Sequence, residues 1–461
     1  MTQRTSVPRE SAAPPDSREP HGEDALSAPP SPPPLMRDRA FWGLTITQFL
    51  GAFNDNLFKQ LMLLLAVPVG IAALEEQDQQ GLATIVFSLP FVLFSGYAGF
   101  LSDRFSKRPI IVLCKVAEIA AMLLGTAGFL LYAYSGYTGL LVVLFLMGTH
   151  SAFFGPGKYG ILPEMFRAED LPRANGLILM TTFLAIIFGT ASAGLLGDLV
   201  DPNLPLVDSA RKLWIGSAAC VGIAVAGALT SLLIRAVPAA QPDLRFRPST
   251  LAIPPETRAL LRRDRPLFWA LMASCAFWMV SGIAIQVVNS FGLVQLALSK
   301  KATSAMTAVI AIGIAAGAVV AGRLCHGRAD FRLVRLGAWG MVASMLVLSL
   351  PSPTGQHLLG LWGSLPLLVL IGMAAGFFAI PVQVFIQTRP PKEQKGRMIA
   401  VMNIFNFFAI LLAGVVYWTF DRITVALDLP RSTMFAMMAA LMLPVALWYH
   451  PVAEPDHKEG D

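Results

Sequence analysis

The feature that most constrains this chain is an apolar run from Phe41 to about Ala73, interrupted near its middle by Asn54, Asp55, Asn56 and Lys59. Roughly 20 apolar residues cross a bilayer as one helix, so the run is long enough to span. A charged side chain at such a helix centre costs about 2.5–3.5 kcal/mol on insertion scales, and one present there has to be placed away from lipid. At 100° per residue, Gln48, Asp55 and Lys59 fall within about 40° of one another and form one polar stripe. Asn56 and Gln60 make a second ridge beside it. Such a helix lines a cavity. Asp55 and Lys59, at i and i+4, either neutralise each other as a structural pair or form a substrate or ion site. Intramembrane ionisable groups favour the site, and with it a transporter rather than an enzyme.

Composition points the same way. Apolar residues make up 55% and charged ones 14%, against about 25% charged in soluble proteins. The net charge of +6 is no argument for nucleic acid, because the basic residues sit in short loops between apolar runs. Cys114, Cys220, Cys275 and Cys325 fall within or at the end of apolar runs, without metal-ligand spacing or a disulfide pattern. No cofactor, metal site or catalytic arrangement is expected.

Residues 1–37 form a Pro-rich tail that is too polar to bury a core and is expected to be disordered. No apolar segment precedes the first span, so that span is expected to be the insertion signal. Eleven more spans are expected near 82–101, 109–133, 138–155, 175–197, 213–235, 266–295, 303–325, 336–351, 362–386, 398–420 and 433–449. Twelve spans put both termini on one side. The loops opposite the termini hold only Arg211, Lys212, Lys300, Lys301, Arg422 and Arg431, whereas the terminus side holds most of the 35 Lys and Arg. Both termini of this multi-pass chain are therefore expected to be cytoplasmic. The linker 236–265 carries Arg245, Arg247, Arg258, Arg262, Arg263 and Arg265, which suits anionic headgroups. It separates a bundle at 38–235 from one at 266–450, and 451–461 is a short tail.

The halves repeat. Gly148 precedes Phe153 by the interval that separates Gly372 from Phe377. Gly176 precedes Ala193 and Gly194 as Gly396 precedes Ala413 and Gly414. Parallel six-helix repeats are a signature of the major facilitator architecture, here an all-α fold of twelve transmembrane helices in two six-helix bundles. Where the first half has Asn54, Asp55 and Asn56, the second has Ser281, Gly282 and Ile283. Between the second and third spans, the stretch from Gly99 through Asp103, Arg104 and Lys107 to Arg108 resembles the major facilitator loop signature Gly-x-x-x-Asp-Arg-x-Gly-Arg-Arg, with Ser106 at the second glycine. Gly99 is expected to permit close helix contact. Asp103 is expected to cap the helix starting near Gly396 and so latch the cytoplasmic side. His326 stands at the equivalent place in the second half.

Further polar residues lie in the spans. Lys115 and Glu118 share a face in the third, either as an ion pair or as substrate contacts. His150 lies in the fourth, which Pro156 and its neighbouring glycines are expected to break. Gln383 and Gln387 in the tenth span, with Asn403 and Asn406 in the eleventh, suit helix-to-helix hydrogen bonds.

Four motifs, in order, carry a family resemblance: Phe49 to Lys59, Lys115 to Ile119, His150 to Pro163, and Ile399 to Asn406. Over residues 38–450 the chain resembles the bacterial lysophospholipid transporter family, a branch of the major facilitator superfamily also found fused to acyl-glycerophosphoethanolamine acyltransferase. The resemblance implies movement of a lysophospholipid such as lysophosphatidylethanolamine from the outer to the inner leaflet for reacylation. Only a short tail follows the last span, so an acyltransferase would be a separate partner; the Pro-rich tail departs from the family pattern. The expected substrate-binding residues are Gln48, Asn54, Asp55, Asn56, Lys59, Lys115, Glu118, His150, Asn403 and Asn406, in a monomer. A proton-coupled exporter of amphiphiles and a non-transporting membrane scaffold are the alternatives.

Overall fold

The computed structural model describes residues 33–69, 77–167, 169–199, 206–246, 253, 255–325, 330–352, 357–391 and 394–449. Most of the N-terminal tail, Ala73, Arg247, His326 and the segment after 449 lie outside the described residues. Twelve long helices build the molecule: α1 Arg39–Ala66, α2 Gln80–Arg104, α3 Lys107–Leu130, α4 Tyr132–Gly160, α5 Leu171–Gly197, α6 Trp214–Ser231, α7 Arg265–Ser290, α8 Lys300–Cys325, α9 Phe331–Leu348, α10 Gly360–Thr388, α11 Lys395–Ala426 and α12 Thr433–Trp448. Ten are long and apolar enough to cross a membrane. The other two are α1, diluted by its polar stripe, and α12, apolar but only 16 residues long. The protein is a multi-pass membrane protein.

Local chemistry explains the helix ends. Asp38 accepts a hydrogen bond from the Ala40 amide at 2.8 Å and caps α1. The helix stops at Ala66, short of the expected Ala73, because Val67 precedes Pro68 and is held extended. Asp264 caps α7 through the Leu267 amide in the same way. One expectation is corrected: α4 does not break at Pro156 but runs on to Gly160. Its irregular point is Gly136, at φ +55°, so the regular helix begins beyond it.

Lipid offers no hydrophobic drive between helices, so association rests on close packing and buried polar bonds. The first bundle packs around Phe58, Met62, Phe129, Leu144 and Cys220, the second around Phe291, Phe378, Tyr417, Phe435 and Met438. The repeated glycines do equivalent work in the two halves. A Cβ on Gly148 would lie 2.3 Å from the Phe87 carbonyl of α2, and one on Gly372 2.2 Å from the Ile310 carbonyl of α8. Gly194 of α5 meets Ser304 of α8, and Gly414 of α11 meets Gly81 of α2, across the seam between bundles.

That seam is closed at one end. Among the described residues, every side-chain hydrogen bond between the bundles lies in the half away from the termini: Gln60 to Asn289 at 2.9 Å, Asn289 to Gln80 at 2.9 Å, Tyr417 to Asp78 at 2.6 Å and Arg422 to Gln77 at 2.6 Å are examples. At the terminus end the bonds stay inside a bundle, as with Arg235–Asp38 and Arg389–Asp264, or reach the linker, as with Arg397–Glu256. The linker includes a helix, Pro255–Arg263, that buries Thr257 and Leu261 and leaves Arg258, Arg262 and Arg263 exposed.

Candidate functional site

The polar residues of α1 do not act as one stripe. They divide into three clusters, each facing a different neighbour. Nearest the terminus end, the Gln48 amide donates to Thr181 Oγ1 at 2.6 Å, and its carbonyl accepts from Thr182 Oγ1 at 2.9 Å and from Lys158 Nζ at 3.3 Å. This ties α1 to α4 and α5. Sequence reasoning placed Lys158 at a broken helix end; the unbroken α4 carries it inward, where it is buried.

The second cluster is an ion pair. Lys115 Nζ donates to Glu118 Oε2 at 2.6 Å, and Asn54 Nδ2 donates to Glu118 Oε1 at 2.9 Å and to the Cys220 carbonyl at 3.2 Å. Both charges are almost fully buried, at 3% and 1% side-chain exposure, so each requires the other. Gly51 makes the room: a Cβ there would lie 2.2 Å from Lys115 Nζ. The cluster joins α1, α3 and α6, and the Lys115 ammonium also sits 4.7 Å from the centroid of Phe154.

The third cluster is incomplete. Ser151 Oγ donates to Asp55 Oδ2 at 2.6 Å. Because that hydroxyl proton points to the carboxylate, the 3.5 Å contact between Ser151 Oγ and His150 Nδ1 casts the imidazole as donor. His150 Nε2 is then an acceptor, facing Asp55 Oδ1 across 4.0 Å. Both atoms are buried without a hydrogen-bond partner. Buried polar atoms are usually satisfied, so two open acceptors side by side mark a place for a donor from outside the protein. One helical turn on, Lys59 makes no ion pair or hydrogen bond among the described residues; its ammonium lies 5.3 Å from the Phe87 centroid. Asp55 and Lys59 therefore do not form the i,i+4 pair considered from sequence: Ser151 draws the carboxylate toward α4 while Lys59 leans toward α2.

Other expected site residues are placed differently. Asn56 donates back to the Ala52 carbonyl of its own helix at 2.8 Å. Asn406 accepts from Ser274 of α7 at 2.9 Å, a helix-to-helix bond inside the second bundle. Asn403 is exposed. The latch residues do not make the expected contacts in this conformation. A Cβ on Gly99 would meet nothing within 4 Å, so Gly99 is not at a close helix crossing. The Asp103 side chain is exposed and makes no hydrogen bond among the described residues, and no side chain caps α11. Instead the Asp103 carbonyl accepts from the Gln241 amide at 2.8 Å, and Arg108 donates to the Leu232 carbonyl at 2.9 Å. Arg104 stacks over Phe100 and Phe105. Among the described residues no side-chain hydrogen bond joins the two bundles at this end, and the start of α11 has no side-chain cap.

Residues that sequence reasoning missed, Ser151, Thr181 and Thr182, are short hydroxyls common in any membrane helix, and only the neighbour across the seam gives them a role. Asp78 and Gln80 gave one local signal: an acidic residue just before a helix start. No group of three or more metal-ligand side chains occurs among the described residues.

A family model described as Major Facilitator Superfamily matches residues 14–414. A protein named lysophospholipid transporter LplT from Salmonella agona (strain SL483) is 30% identical over 385 residues, covering 80% of this chain and 84% of the relative. The protein of the same name from Serratia proteamaculans (strain 568) is 27% identical over 395 residues, covering 83% and 88%. Among solved structures, the xylose transporter XylE from E. coli in its inward-open conformation aligns with TM-score 0.64 at 15% identity, over 91% of this chain and 98% of its own. The nucleoside transporter NupG aligns with TM-score 0.62 at 14% identity, over 88% and 97%.

Proposed function

The chain belongs to the Major Facilitator Superfamily, and from that premise we propose that it moves a lysophospholipid of the lysophosphatidylethanolamine kind across the bacterial inner membrane, from outer to inner leaflet. The observation that carries this reading is the pair of unsatisfied charges on α1: the Asp55 carboxylate with an open oxygen and, one turn away, the unpaired Lys59 ammonium. A zwitterionic headgroup supplies a cation for the first and a phosphate for the second. Taking that headgroup out of water is the barrier to flipping, and a preformed pair of opposite charges lowers it. The names of the relatives support the lipid assignment.

The remaining parts follow. With both termini in the cytoplasm, the end without hydrogen bonds across the seam faces inward and is the open one. In the alternate arrangement the bundles close there, and Asp103 reaches the start of α11 as a latch. Lys115, Glu118 and Asn54 hold the wall behind the headgroup, while Gln48 and Lys158 lie toward the exit. Asn403 shares a helical face with Phe407, which stacks on Phe91 of α2, and so borders the cavity. The transporter acts as a monomer and delivers its lipid to a separate acyltransferase.

Reconstituted liposomes and labelled lysophosphatidylethanolamine test the reading. Wild-type protein moves the label, unlabelled lysolipid competes, and the bare headgroup glycerophosphoethanolamine competes poorly. Strong inhibition by the bare headgroup, or none by lysolipid, would end it.

A further inference from the structure

The closed end of the seam is built around a buried acid that the substrate site does not use. Asp78, 8% exposed, lies just before α2. Its Oδ1 accepts from the Gln80 amide at 2.9 Å, and its Oδ2 accepts from Tyr417 of the opposite bundle at 2.6 Å and from Gln80 Nε2 at 3.1 Å. The Gln80 side chain also donates to the Tyr417 hydroxyl and accepts from Asn289 of α7, both at 2.9 Å. Asn289 in turn accepts from Gln60 of α1 at 2.9 Å. One carboxylate thus anchors a chain of hydrogen bonds joining α1 and α2 to α7 and α11. Among the described residues no cation reaches it. On α11 the nearby charges are Asp421, which pairs with Arg431, and Arg422, which donates to Gln77. From α4 only the Tyr137 phenol is near, and it donates to the Met62 carbonyl at 3.1 Å. From α7 come only the neutral Gln286, Asn289 and Ser290.

We propose that Asp78 is a proton-responsive pin of this gate: protonated, it holds α2 against α11 and keeps the cavity shut toward the outside; ionised, it favours release into water. The proposal rests on the alternating-access reading above and not on the identity of the lipid. Burial pushes the Asp78 carboxyl up to about 6 in the closed gate, against the partly offsetting hydrogen bonds from Tyr417 and Gln80. Opening exposes the group and returns it toward the ordinary value near 4. Protons bind more tightly to the closed form, so closure strengthens as pH falls through 6 and stops changing below about 4. Between pH 7.5 and 5 the closed-to-open ratio is expected to rise about tenfold.

Spin labels at Leu82→Cys on α2 and Leu427→Cys just after α11, both exposed, read the gate in lipid nanodiscs, with the four native cysteines replaced by serine. Pulsed dipolar spectroscopy from pH 8 to 4.5 is expected to show the short-distance population growing as pH falls. Asp78→Asn should abolish that pH response and stay closed. Tyr417→Phe removes a donor to the ionised carboxylate, so its midpoint should move above that of the wild type. Wild-type distances that ignore pH, or an Asp78→Asn variant that keeps the full response, would overturn the pin. Distances that respond to added lysolipid but not to pH overturn the pin and leave the transport reading standing.

Discussion

At the residue scale, charges on α1 and α3 separate by whether the fold has answered them. Glu118 has Lys115 and Asn54, so removing its charge strands a buried ammonium. Glu118→Gln is expected to destabilise the protein by about 3–5 kcal/mol, read as a lower melting temperature in detergent. A melting curve that matches wild type would show the pair to be solvated. Asp55 differs, because one of its oxygens is already open. Asp55→Asn and Lys59→Ala should each abolish lipid movement in liposomes while changing stability by less than about 1 kcal/mol. Exchanging the two, Asp55→Lys with Lys59→Asp, should stay inactive, because Ser151 fixes which position needs the carboxylate. Recovered transport would point to a mere counter-ion pair.

At the element scale, the glycines set which helices can touch. Gly148 and Gly372 sit inside their bundles against the backbone of α2 and α8, whereas Gly194 and Gly414 sit on the seam. The same substitution should therefore have two outcomes. Gly148→Val and Gly372→Val force apart helices that never separate, and loss of folded yield is expected. Gly414→Val presses on Gly81 and Ile85 across the seam and should open the far end without unfolding either bundle. A cysteine at Gln286, fully buried behind that seam, should then react faster with a water-soluble maleimide. Unchanged labelling would show that the α2–α11 contact does not limit opening.

At the scale of the whole molecule, the buried groups left without partners on α1 and α4 belong to the first bundle. The second bundle contributes Asn289, Tyr417 and Arg422 to the hydrogen bonds at the closed end. A lysolipid fits that asymmetry, with its headgroup on the first half and its chain along the seam. Affinity should then climb with chain length at about 0.8 kcal/mol, or roughly fourfold, for each buried methylene. Competition by lysolipids of graded length measures the slope; equal inhibition at every length would mean that the chain stays in the bilayer.

The sequence alone was enough for the architecture. Apolar runs of bilayer length, basic loops and glycines at matching intervals are local signals, and each has one physical solution in lipid. It also marked Asp55 and Lys59, since charges in an apolar run need a purpose wherever they lie. What it left open was which polar residues are already satisfied, because hydrogen bonds join positions far apart in the chain. Asn54 reaches Glu118, Gln48 reaches Thr181, and Asp78 reaches Tyr417 across the seam. Only the packing of α1 against α3, α4 and α5 decided that Lys115–Glu118 is a closed pair while Asp55 and His150 keep open acceptors. The conformation, too, was a tertiary matter. The loop motif from Gly99 to Arg108 is legible in sequence, but that Asp103 caps no helix start here was set by how the bundles pack.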